Sequence, residues 1–161
     1  MKKIAMVFAL LTSSILVSAQ NISESVVPPL VKSAFSQKFS DATTVKWEKE
    51  NANEYEAEFR IAGIGMSANF SADGKWLETE TEISFAELPQ AVTNSFLKNH
   101  KHSSKVEVAK IEMASGKIVY EIEMKGETKG SSGSKEDKGS KGSSEGELFY
   151  DENGKELKGS K

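Results

Sequence analysis

The 161-residue chain contains no cysteine. No disulfide can supplement its core in an oxidising compartment, so stability must come from burial alone. Histidine is nearly as scarce: His100 and His102 stand together at the end of a predicted helix. A nucleophilic triad needs Ser, His and carboxylate within hydrogen-bond reach, and no G-x-S-x-G elbow occurs in the chain. The His-Lys-His group reads as a solvated helix end, where cations suit the dipole; adventitious metal binding is the alternative. After the first twenty residues there is no long apolar run, so no membrane span is expected in the mature chain. A basic footprint is missing too. Without Lys2 and Lys3 the chain has 19 bases against 24 acids, and residues 20–84 alone carry 11 acids and 6 bases. Nucleic acid, whose phosphates need positive charge, is excluded as a partner. No motif calls for a cofactor.

The first twenty residues do carry a signal. Lys2 and Lys3 precede an apolar run from Ile4 to Val17, broken only by Thr12, Ser13 and Ser14. Val17-Ser18-Ala19 then supplies small residues before Gln20. A charged start, a short apolar core and such an end predict a secretory signal peptide over 1–19, cleaved after Ala19. The run is shorter than the roughly 20 residues of a span, and no cysteine is present for a lipid anchor. The product belongs in the periplasm or outside the cell. Residues 20–161 amount to one modest domain's worth of chain.

Within them one pattern occurs twice. Tyr55-Glu56-Ala57-Glu58-Phe59 returns as Tyr120-Glu121-Ile122-Glu123-Met124. Both alternate apolar with acidic residues, as a strand with one dry and one wet face does. The surroundings repeat as well. Pro28-Pro29 opens a predicted helix over 28–39, with Leu30, Val31, Ala34, Phe35 and Phe39 on its apolar stripe. Leu88-Pro89 opens another, in which Val92 and Phe96 answer Val31 and Phe35. Strands are predicted at 45–50, 54–61, 66–70 and 75–83. Val45 and Trp47 share an inward face in the first of these; Leu77, Thr79, Thr81 and Ile83 do so in the last. Val106 and Val108 answer Val45 and Trp47, and Asn153-Gly154 answers the Asp73-Gly74 hairpin turn. The organisation is therefore α+β: two tandem helix-plus-antiparallel-sheet repeats, over 20–84 and 85–161, each helix packed on one sheet face.

The second repeat is interrupted. Residues 126–146 contain no apolar side chain and balance four acids with four bases. Such a segment cannot offset its ordering entropy and is expected to be a flexible insertion between strands. Lengthening a loop costs little, since closure entropy grows only logarithmically. A tolerated surface insertion and a docking tag are both open readings.

The candidate site lies on the wet side of the strands. Glu48 and Glu50, Glu56 and Glu58, and Glu78, Glu80 and Glu82 are expected to share one outward sheet face. That face can be simply solvated, can dock a basic partner, or can hold a hard cation. No loop has a calcium-loop pattern, and no metal ligand set is assigned. Strict alternation places Trp76 among these glutamates, where an exposed Trp would serve as an interface anchor. Phe149 is the odd residue of the second repeat. The alternative is a bulge that tucks these aromatics under a neighbouring strand. Trp47, Tyr55, Phe59, Phe70 and Tyr120 read as core.

The segments Val45-Lys46-Trp47-Glu48-Lys49-Glu50, Tyr55 to Phe59, Ser71 to Glu80 with its Asp73-Gly74-Lys75-Trp76 centre, and Leu88-Pro89 resemble the PepSY-like family. Its members are small secreted bacterial proteins described as β-lactamase-inhibitor-like. The resemblance covers nearly all of 28–158 and is interrupted by 126–146. The chain also departs from the β-lactamase inhibitor protein itself, whose disulfides it cannot form. The resemblance implies helices on one face of an antiparallel sheet with the other face open and concave. It implies binding or inhibition rather than catalysis, and it carries over no functional residues. The expectation is a non-enzymatic binding module that docks a protein partner, an inhibited enzyme or protease being one such partner, through Glu48, Glu56, Glu58, Trp76, Glu78 and Phe149. A cation-binding or envelope-stress protein using the acidic face is the alternative.

Overall fold

The computed structural model describes residues 20–100, 106–124 and 146–158. The leader, His102 and all of the inserted segment but Gly146 lie outside the described residues. Along the chain run β1 (Gln20–Ile22), α1 (Pro29–Lys38), β2 (Thr43–Asn51), β3 (Glu54–Ile61), β4 (Ile64–Ser71) and β5 (Trp76–Glu82). There follow α2 (Gln90–Asn99), β6 (Val106–Met113), β7 (Ile118–Met124), β8 (Gly146–Asp151) and β9 (Glu156–Leu157). Each strand pairs antiparallel with its neighbours in sequence, so β1 to β9 form one nine-stranded meander. The two repeats are thus joined edge to edge. Thr79 of β5 lies opposite Glu112 of β6, and Glu82 opposite Ala109.

Both helices lie on the same face of this sheet, each over its own half. α1 starts behind Pro28, whose φ of −55° suits the entry to a helix. It buries Val31 and Phe35 against Trp47, Ala57, Phe59, Ala68 and Phe70. The Phe35 ring is the hub: its centroid lies 5.2 Å from Trp47 and 5.1 Å from Phe59, both edge-on. α2 starts behind Pro89 in the same way and buries Val92 and Phe96 against Val108, Tyr120, Ile122 and Tyr150. His100 stacks on Phe96 at 5.2 Å, so it belongs to the rim of this second core.

The hairpin turns lock the helices down. Gly74 and Gly154 have φ of +83° and +74°, the left-handed region that favours glycine. A Cβ on Gly74 would fall 2.8 Å from the Leu30 carbonyl oxygen, and one on Gly154 only 2.2 Å from that of Ala91. Leu30 and Ala91 hold the same place in the two helices. Each repeat therefore seats the first turn of its helix directly on the backbone of its last hairpin.

Three expectations need correction. Residues 20–22, where no strand is predicted, form the edge strand β1, with Gln20 to Ile22 opposite Lys49 to Trp47. Val45 keeps the side of Trp47, where both line a hollow with Phe35 and Phe39, but it is exposed rather than buried, at the end of the strand where the register shifts between Thr43 and Lys46. Most consequential is Trp76. Asn69 pairs with Glu78 but the next pair is Phe70 with Trp76, so β5 carries one extra residue at this point. That bulge rotates Trp76 off the glutamate face. It packs on the first core, donates from Nε1 to Thr79 Oγ1 at 2.9 Å, and lies under Lys38 Nζ at 3.7 Å from its ring centroid.

Candidate functional site

The site is the sheet face opposite the helices. Its membership follows from register. On β2 to β5 the pairs Glu48–Glu56, Glu56–Asn69 and Asn69–Glu78 carry one row across the face. Lys46–Glu58, Glu58–Ser67 and Ser67–Glu80 carry the next. On β5 to β8 the rows continue as Glu80–Ile111–Val119–Asp151 and Glu82–Ala109–Glu121–Phe149. Glu107, Glu123 and Glu147 form a last row toward the far end. Within the strands, Lys46 and Arg60 are the basic side chains on this face, and both belong to the first repeat.

Of the predicted site residues, Glu48, Glu56, Glu58, Glu78 and Phe149 share this face. Trp76 does not; the bulge takes it to the other side. Glu48, Glu56, Glu58 and Glu78 form one patch on β2, β3 and β5, and Phe149 sits well away from them, between Glu121 and Leu157.

The carboxylates form two groups. Glu56 is half-buried between β2 and β4, and its carboxyl is pushed up to about 7 by that burial. The Ser67 hydroxyl opposes the shift, while Glu50, by hydrogen bonding and by charge, and Glu58 add to it. Carboxylate oxygens of Glu48, Glu50 and Glu56 lie within 4.8 Å of one another. In the second group, burial pushes Glu121 up to about 7, and the negative charges of Glu80, Glu147, Glu123 and Glu78 reinforce it. Glu80 is raised likewise, by burial first and then by Glu78, Glu147 and Glu82. Glu78 is steadied by Asn69, whose Nδ2 donates to its Oε1 at 3.3 Å.

Beside the second group lies an apolar strip that the sequence reading missed. Ala109 and Val119 are buried on this face, and Ile111, Met113 and Phe149 are half-buried. The cause is visible in β6. Val106 and Val108 point to the helix side, where α2 covers them. Beyond α2 no described element covers that side, and Lys110 and Glu112 occupy it, paired at 2.9 Å. The apolar residues therefore change sides at Val108-Ala109. Two adjacent apolar residues in an otherwise alternating strand were the available signal, repeated in Ile118-Val119-Tyr120.

The face is acidic at two places and apolar beside one of them. The fold around it is two helix-backed halves of one antiparallel sheet. A family model described as "Putative beta-lactamase-inhibitor-like, PepSY-like" matches residues 15–61 and again 61–157. The chain belongs to this PepSY-like family.

Solved structures agree on the fold. A DUF2874 family protein from Bacteroides uniformis ATCC 8492 is similar with a TM-score of 0.65 and 17% identity, over 81% of this chain and 86% of that one. A protein from Bacteroides eggerthii DSM 20697, described as a "putative periplasmic" protein, gives 0.63 and 18%, over 82% and 86%. A BLIP-like protein from Bacteroides fragilis NCTC 9343 gives 0.54 and 23%, over 80% and 82%. Among curated proteins none matches. No helix among the described residues is long and apolar enough to cross a membrane.

Proposed function

We propose that this chain is a non-enzymatic binding module of the bacterial envelope, which docks a protein partner on the open sheet face in the manner of an inhibitor. One observation carries the reading: no described element covers that face, yet Ile111, Met113, Val119 and Phe149 gather there beside partly buried carboxylates. A contiguous apolar patch rimmed by polar residues on an open surface marks an interaction site. The periplasmic description of a relative and the predicted leader support the envelope as the place. The family's inhibitor-like description supports binding over catalysis.

The test is affinity capture from the producing cell's envelope, with residues 20–161 as bait. The wild-type chain and a Leu30→Asp variant, altered on the exposed side of α1, should hold one stoichiometric partner. Ile111→Asp should lose it while keeping the wild-type circular dichroism spectrum. Equal capture by all three baits would remove the open face from the binding role. Loss on deletion of 126–146 instead would move the site to the insertion.

A second reading has an observation of its own. Glu48, Glu50 and Glu56 bring three carboxylates to a spacing that a hard cation accepts. Calcium titrated calorimetrically should then give heat that Glu56→Gln abolishes; the absence of heat at millimolar calcium removes this reading.

A further inference from the structure

The chemistry of the partner can be taken further, on the footing that the open face docks one. Glu56 and Glu121 hold the same position in the two copies of the motif, and in the folded chain they hold the same position in the two halves of the face. Each is the partly buried carboxylate at the centre of an acidic group. The groups that act on them are other carboxylates and, at Glu56, the Ser67 hydroxyl. They stand on β3 and β7, four strand spacings or about 19 Å apart across the sheet, in rows that lie four residues or about 14 Å apart along the strands (those of Glu78 and Glu82), so that about 23 Å separates them.

This pattern selects among occupants. A second copy of the chain would set carboxylates against carboxylates. An anionic lipid surface or a nucleic acid would do the same with phosphates. A wholly apolar partner would bury ionised glutamates without a counter-charge, which is costly. A surface with positive side chains supplies counter-charge that no described strand residue gives the second group and that only Lys46 and Arg60 offer the first.

We propose that the occupant is a basic protein surface, which sets one arginine or lysine on the Glu56 group, another on the Glu121 group, and an apolar side chain on Ile111 and Phe149 beside the second. The internal repeat then does more than duplicate a fold. It supplies two anchoring points with a fixed separation, and the separation between cations becomes the recognition element.

Capped heptapeptides test this against the 15N-labelled chain from Gln20 onward, which contains the whole sheet and both helices. In Arg-Thr-Val-Thr-Val-Thr-Arg, extended, the two cations are about 20 Å apart; Arg-Thr-Arg-Val-Thr-Val-Thr brings them together; a third peptide has Glu for both Arg. At millimolar concentration the spaced peptide should shift amides around both Glu56 and Glu121. It should bind about tenfold more tightly than the clustered one, as two linked contacts do. Glu56→Gln or Glu121→Gln should each bring its affinity down to the clustered level. Equal binding of spaced and clustered peptides, equal shifts with the Glu peptide or with calcium, or no shift on the open face with any peptide would each overturn the proposal. The docking reading itself would survive those results if Ile111→Asp still abolished capture, and would fall only with that variant.

Discussion

Replacing Glu121 by Gln should stabilise this protein, and only above mildly acidic pH. The carboxyl of Glu121 rises from 4.5 to about 7 on folding. Between those values the unfolded chain releases its proton while the folded chain keeps it. Folding stability from this group is therefore complete below about pH 4.5, declines as pH rises, and is fully lost just above 7. For a fully shielded group the loss would be about 3 kcal/mol. Glu121 retains partial contact with water, so screening reduces it to about 1–2 kcal/mol. Gln has the same shape and never ionises, which leaves Ile111, Val119 and Phe149 undisturbed. The variant should melt within a degree or so of wild type at about pH 4, and about 3–8 °C higher at about pH 8. Differential scanning calorimetry across that range reads both ends. A gain that is the same at both, or a loss at pH 8, would refute the placement of Glu121 in a partly buried acidic group.

Other perturbations separate the turns, the bulge and the acidic face. Gly154→Ala should cost about 2–4 kcal/mol in urea denaturation, since its Cβ meets the Ala91 backbone as well as an unfavourable φ. Gly116→Ala, with φ +80° and nothing within 4 Å, should cost only about 1 kcal/mol. Trp76→Ala should lower stability by about 2 kcal/mol, because the ring packs on the first core; an unchanged melting temperature would return Trp76 to the surface. Glu56→Gln should follow Glu121→Gln in sign, with the gain again confined to pH above about 5.

Much of this fold was legible because its strands alternate. Glu54–Ile61 is a strand at the expected residues, and the two motif copies fall on β3 and β7. Both helices begin where a proline fixes φ. What escaped the sequence was whatever interrupts the alternation. A single extra residue on β5 reversed Trp76, because a two-residue period has no memory across a bulge. The crossover from β5 to β6 joins the repeats into one sheet, and that pairing has no local signature at all. The site was half legible for the same reason. Glu48, Glu56, Glu58 and Glu78 alternate with core residues and declare their side. Ile111, Met113 and Val119 are apolar, and an apolar residue is first assigned to the core; only the end of α2 tells that they lie on the other face.

The strictly sequential strand order also bears on how the chain reaches this state. Each strand finds its partner next to it along the chain, so most of the sheet can zip up by hairpin closures with low contact order, which favours fast folding for a β-rich protein. Each half has its own core and need not wait for the other. Three pairings are not plain hairpins: Ile22 with Trp47 and Glu82 with Ala109 close across a helix, and Met124 with Gly146 closes across the inserted segment. The inserted residues of the last carry no apolar side chain with which to collapse, and Tyr150 reaches the second core only after it, so that closure should set the slow step. Shortening the insertion should accelerate folding while hardly moving the unfolding rate, the mark of a loop closed in the transition state.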